Sequence, residues 1–202
     1  MLAPGHIFGG FYMDLIGWII LGVVVLAVFY AISVYNGLVR LRALAKESFS
    51  GITVQLRRRA DLVPNLVETV QGYASHERET LDAVIAHRGD GIGAGSVGQT
   101  AAADAMMTGL LGRLMAVAEA YPDLKADENF RQLSSELSSL ENELQSARRY
   151  YNATVRDLNM RIQSFPDTLF ARPMGFTEEP FYEDSDATIL TAPKVSFDRP
   201  AA

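Results

Sequence analysis

The residue types best suited to metal binding or proton transfer are His6, His76 and His87, and this chain has no cysteine to join them. The missing thiols exclude disulfides, zinc–thiolate sites and cysteine nucleophiles. His76 and Glu79 make an H-x-x-E step, and His87 follows three helical turns later on roughly the same face. A weak metal-dependent hydrolase reading rests on these three residues. A di-iron bundle would need a Glu-x-x-His unit on each of two helices, and the last long helix contains no histidine. The zinc-protease pattern fails too, because Glu77 follows His76 but the next required histidine is Thr80. Solvated side chains are the preferred reading. The expectation is no enzyme, no catalytic residue, no metal and no cofactor.

Three further features could recognise a ligand. The basic run Arg57, Arg58, Arg59 could hold nucleic acid or anionic lipid. The net charge of −6 argues against a nucleic-acid partner, because affinity there comes mostly from cations neutralising phosphates. An intramolecular partner suits the run better, since Glu178, Glu179, Glu183, Asp184 and Asp186 make the C-terminal segment acidic. The glycine-rich stretch from Arg88 to Thr100 lacks the GK[ST] that a phosphate loop needs and follows a helix, not a strand, so it reads as a flexible connection. Asn142, Asn152 and Asn159 lie close to an apolar stripe, where asparagine commonly sets local register.

These residues need elements to position them. Leu15 to Tyr35 is an uncharged run of 21 residues, about 30 Å as a helix and enough to cross the hydrocarbon core. No Lys or Arg precedes it, whereas Arg40, Arg42, Lys46 and Arg57–Arg59 follow. The positive-inside bias then puts the N-terminus outside and the rest of the chain in the cytoplasm. A signal peptide fits less well, because its n-region would be basic and its apolar run shorter.

Beyond the span the spacing predicts long helices. Leu38, Leu41, Ala45, Phe49, Ile52 and Leu56 form one stripe, continued by Val63, Leu66, Val70, Tyr73, Leu81 and Val84. Pro64 should kink or restart this helix, with Asp61 able to cap the restart. A third helix is expected from about Ala101 to Tyr121, ended by Pro122, and the next should start at Asp123 or Asp127. The last helix is the clearest, with Phe130, Leu133, Leu137, Leu140, Leu144, Ala147, Tyr151, Val155, Leu158, Ile162 and Phe165 in steps of 3 and 4. The fold class is therefore all-α: a single transmembrane helix, then an antiparallel bundle of long helices, then an extended C-terminal tail. The segments are 1–14 outside the cytoplasm, 15–35 in the membrane, 36–166 in the bundle and 167–202 in the tail.

The tail has aromatics spaced by prolines, which suits a segment laid on a helical surface. Phe176, Phe181 and Tyr182 should dock it, with its acids near Arg57–Arg59 or Arg148 and Arg149. A small polar stripe of Ser135, Ser139, Asn142 and Ser146, with Ala105, Gly109 and Gly112 on the third helix, could seat a second copy.

Several runs in order carry a resemblance: VYNGLVRLRALAKES, ITVQLRRRADLVPNLVETVQGYASHE, LMAVAEAYPDLKADENFRQL, LENELQSARRYYNATVRDLNMRIQSFP and ARPMGFTEEPFYE. Together they resemble the LemA family over nearly everything after Val34. The resemblance implies one N-terminal transmembrane helix, a cytoplasmic helical bundle and no established catalysis. It also implies a magnetosome-associated relative, which points to membrane organisation. Phe49 and Thr53 depart from the family pattern, which usually has Trp and Asp there. The expected function is a membrane-anchored scaffold or adaptor at the cytoplasmic face of a bacterial inner membrane. Its expected partners are the lipid bilayer, further copies of itself and unidentified membrane or cytoplasmic proteins. The alternative is a factor that organises and shapes the bilayer.

Overall fold

The computed structural model describes residues 7–183, with side chains from residue 16. Among these residues all regular structure is helical. Helix α1 runs Ile7–Tyr73, α2 Arg78–His87, α3 Val97–Ala120, α4 Pro122–Ala126, α5 Glu128–Gln163 and α6 Thr168–Ala171. Asp184 and Asp186, expected to make the tail acidic, lie outside the described residues.

Helix α1 passes through Pro64 without a break, so the expected restart there does not occur. Proline in a helix interior costs ~3 kcal/mol. The residues around it offset this, because Val63, Leu66 and Val70 are all fully buried, at roughly 1.5–3 kcal/mol each. The helix ends nine residues later, at Tyr73, and Ala74 to Glu77 turn the chain into α2.

The other boundaries follow from local chemistry. Ser96 caps α3 by accepting a hydrogen bond from the Gln99 N–H at 3.2 Å. Between the two expected caps of the last long helix, Asp127 takes the role, accepting from the Phe130 N–H at 2.9 Å. Pro122 stands first in the short α4, where its missing N–H costs nothing.

The chain divides into two compact units: Met1–Phe49 with Arg149–Pro180, and Ser50–Arg148 with Phe181–Ala202. The second unit has a core of Val63, Leu66, Val70, Val84, Leu110, Leu114, Leu124 and Phe130, drawn from five helices. In the first unit the early part of α1 buries Val34, Leu38 and Ala45, and the later part of α5 buries Tyr151, Val155, Leu158 and Ile162. From Ile16 to Phe29 the apolar side chains of α1 are exposed, with Trp18 at 71% and Phe29 at 67%. The helix from Ile16 onward carries an apolar stretch long enough to cross a membrane. Helix α3 passes the same composition test, but Ala101, Met107, Leu111, Leu114 and Ala118 bury one of its faces in protein.

Candidate functional site

The second unit is organised around Asp104. This is the one acid in the first half of α3, and it follows buried Ala101 and precedes buried Met107 in helical steps of three. Its side chain is only 1% exposed. Oδ1 accepts a hydrogen bond from Arg59 at 2.6 Å. Oδ2 accepts from Arg148 at 2.5 Å and from the Tyr182 hydroxyl at 2.6 Å. Glu141 closes the group, 3.3 Å from Arg59 and 3.5 Å from Arg148. Two guanidinium groups thus face two carboxylates, and the cluster is formally neutral. Burial works against the Arg148 charge, but Asp104 and then Glu141 more than offset it and raise its pKa. Burial and the hydrogen bond to Asp104 push the Tyr182 phenol far above its ordinary value. The cluster joins α1, α3, α5 and the tail, and its charged groups pair with one another. It holds helices together.

The expected basic patch is therefore not a single surface. Successive helix residues point about 100° apart, so three arginines in a row cannot share a face. Arg59 is buried against Asp104, Arg58 reaches Glu143 at 3.5 Å, and Arg57 is exposed. The partners of Arg58 and Arg59 come from helices, not from the acidic tail. Glu179 of the tail lies 3.6 Å from Arg42 instead.

In the first unit the tail is stitched to helices. Gly175 adopts φ +79°, which lets the chain leave the turn after α6. Phe176 is then buried at 4% exposure, edge-on to Tyr35 at 5.6 Å and under the Arg42 guanidinium at 4.9 Å. Asn159 clamps the backbone of Glu179 in both directions, accepting from its N–H at 2.9 Å and donating to its carbonyl at 2.8 Å. Tyr151 donates to the Pro180 carbonyl at 2.9 Å. Burial, with Glu179 nearby, pushes that phenol up to about 12. Asn159 is thus a tail receptor, which spacing alone did not reveal.

Phe181 and Tyr182 behave differently from each other. Tyr182 is 5% exposed and Phe181 is 40% exposed, against the expectation that Phe181 docks. Neighbours in an extended segment point to opposite sides, so only one of the two can face the helices.

The weak metal constellation is not assembled. His76 lies in the turn before α2, so the H-x-x-E step is not helical, and both His76 and Glu79 are exposed. His87 pairs with Asp90 at 2.7 Å. Among the described residues no three His, Asp or Glu side chains gather closely enough to hold a metal ion. The small polar stripe points outward: Ser135, Ser139, Asn142, Ser146, Gly109 and Gly112 are exposed, and Ala105 is half-buried. Ser139 borders an open groove of about 440 Å³ with Arg58, Asp61, Asn65 and Glu136.

Among the described residues, all regular structure is helical, one helical segment is apolar and exposed, and helices are tied by buried ion pairs, the build of a membrane-associated helical-bundle protein. The LemA family profile matches residues 48–197, and the chain belongs to that family. It is 25% identical to the Magnetosome protein MamQ of Magnetospirillum gryphiswaldense over 80% of this chain and 70% of that one. It is 24% identical to Magnetosome protein MamQ 2 of Paramagnetospirillum magneticum, over 76% of this chain and 66% of that one. It is 25% identical to Protein LemA of Metamycoplasma hominis, over 84% of this chain and 78% of that one. None of these names denotes an enzyme.

Proposed function

We propose that the protein is a non-catalytic scaffold, anchored in a bacterial inner membrane by residues 15–35 with the bundle in the cytoplasm, and that it works through protein–protein contacts. The observation that carries this reading is α1 itself. One unbroken helix leaves an exposed apolar segment and goes on to bury Leu38, Ile52, Val63 and Leu66. The anchor is thus a covalent continuation of the bundle, with no hinge loop between them. The side chains around Asp104 are occupied with each other, which leaves the exterior for partners.

The exterior offers a surface for further copies of the chain. Ser135, Ser139, Asn142 and Ser146 are exposed on α5 where a solvated face would more often carry Lys, Glu and Arg. Anchoring aligns every copy in parallel and raises its effective concentration. Ser139→Arg is expected to reduce the mass of the detergent-solubilised assembly without changing the helical content. A wild type that is monomeric across a wide concentration range contradicts self-assembly. Proteins that co-purify after gentle extraction would then identify other partners.

The magnetosome relatives favour a second reading, in which the anchored bundle organises or shapes the bilayer. Purified protein that tubulates vesicles would favour it over the scaffold.

A further inference from the structure

We propose that the turn closing α5, from Phe165 to Met174, lies in the lipid interface of the leaflet through which α1 leaves the membrane. The first unit would then rest on the bilayer as well as being tethered to it. The inference builds on the anchoring just proposed.

The register of α1 and α5 within this unit sets the depth. Arg161 lies across Gly37, where the absence of a side chain makes room for the guanidinium. Beyond the end of α5, Asp167 meets Tyr30, which lies earlier in α1: the Tyr30 hydroxyl donates to Asp167 at 2.5 Å. The Tyr30 ring also meets Phe170 edge-on at 5.7 Å. The turn therefore sits beside Tyr30, inside the uncharged run. Tyr30 precedes the end of that run at Tyr35 by five residues, about 7.5 Å of helix. That is the depth, roughly 5–10 Å, at which interfacial elements bury their apolar side chains.

The surface chemistry of the turn fits that position. Phe165 is 80% exposed, Leu169 60% and Met174 38%. Three large apolar side chains on one short turn are an unfavourable surface in water and a favourable one at the boundary between headgroups and acyl chains. Arg172 is exposed on the same turn and could reach lipid phosphates. The one acid in the turn that would oppose anionic lipid is Asp167, and its two oxygens are taken by Tyr30 and by Arg161 at 2.9 Å. On α1, Phe29 and Ile32, one and two residues from Tyr30, are also exposed, at 67% and 51%.

The chain has no cysteine, so single thiols can report depth in the full-length protein. Phe165→Cys and Leu169→Cys would carry an environment-sensitive fluorophore in vesicles of phosphatidylglycerol and phosphatidylethanolamine. Some lipids would bear a nitroxide high on the acyl chain. Leu26→Cys reports the span and Asp82→Cys reports the aqueous bundle. Both turn positions are expected to be quenched severalfold more by the lipid nitroxide than by aqueous iodide, as Leu26→Cys is, while Asp82→Cys shows the reverse. Iodide quenching at Phe165 and Leu169 with lipid quenching at Leu26 overturns the proposal and leaves the anchor standing. Protection of both turn positions from both quenchers overturns it in favour of a protein contact, such as a second copy. Iodide quenching at Leu26 removes the anchor and this proposal together.

Discussion

Replacing Asp104 with alanine is expected to destabilise the protein by about 3–5 kcal/mol, the loss typical of breaking a buried ion pair by removing one partner. The reason is what stays behind. Arg59 is 4% exposed at its side chain and has Asp104 as its shortest ionic contact, at 2.6 Å. Glu141, at 3.3 Å and 30% exposed, cannot take over two guanidinium groups. Tyr182 would lose its hydroxyl partner in the same step. In a chain of this size the loss corresponds to a fall in melting temperature of roughly 10 °C. Asp104→Asn should cost less, since an amide oxygen in the place of Oδ2 still accepts from Arg148 and Tyr182. Denaturant unfolding of the full chain in detergent, followed by far-ultraviolet circular dichroism, is the measurement. A loss below about 1 kcal/mol, the range of exposed pairs, would show that the cluster is not the tie between the helices.

The second large effect is in the tail. Phe176→Ala should cost about 3–5 kcal/mol, as deleting a buried phenyl ring does, because the ring is 4% exposed and packed between Tyr35 and Arg42. Phe181→Ala should cost no more than about 1 kcal/mol, since part of its area already faces water. The same unfolding measurement separates them. Equal losses at the two positions would mean that the tail sits on the helices in a different register from the one in which Asn159 grips Glu179.

Helical period, caps and the apolar run depend on neighbours within a turn or two, so they could be read directly. Leu137, Leu144, Tyr151, Val155, Leu158 and Ile162 lie on the expected stripe of α5 and are all buried. The continuity of α1 through Pro64 could not be read, because the local penalty is visible in the chain and the packing that outweighs it is not. The same holds for Arg59. Three consecutive arginines look alike in a sequence, and only the neighbouring α3 decides which one turns inward. Asp104 did leave a signal, as a single acid at an apolar register position of α3. A lone charge at a core position implies a buried partner, and a search for one would have led to an arginine. Asn159 left no such signal, since its partner is the backbone of a distant extended segment.

On the proposed topology, the apolar segment of α1 crosses a membrane and leaves the bundle on the cytoplasmic side. The direct measurement is thiol labelling of the otherwise cysteine-free chain in intact spheroplasts with a membrane-impermeant maleimide. Ala3→Cys is expected to react from outside, and Asp82→Cys, on the exposed face of α2, only after the membrane is opened. Labelling of Asp82→Cys in sealed spheroplasts would contradict it.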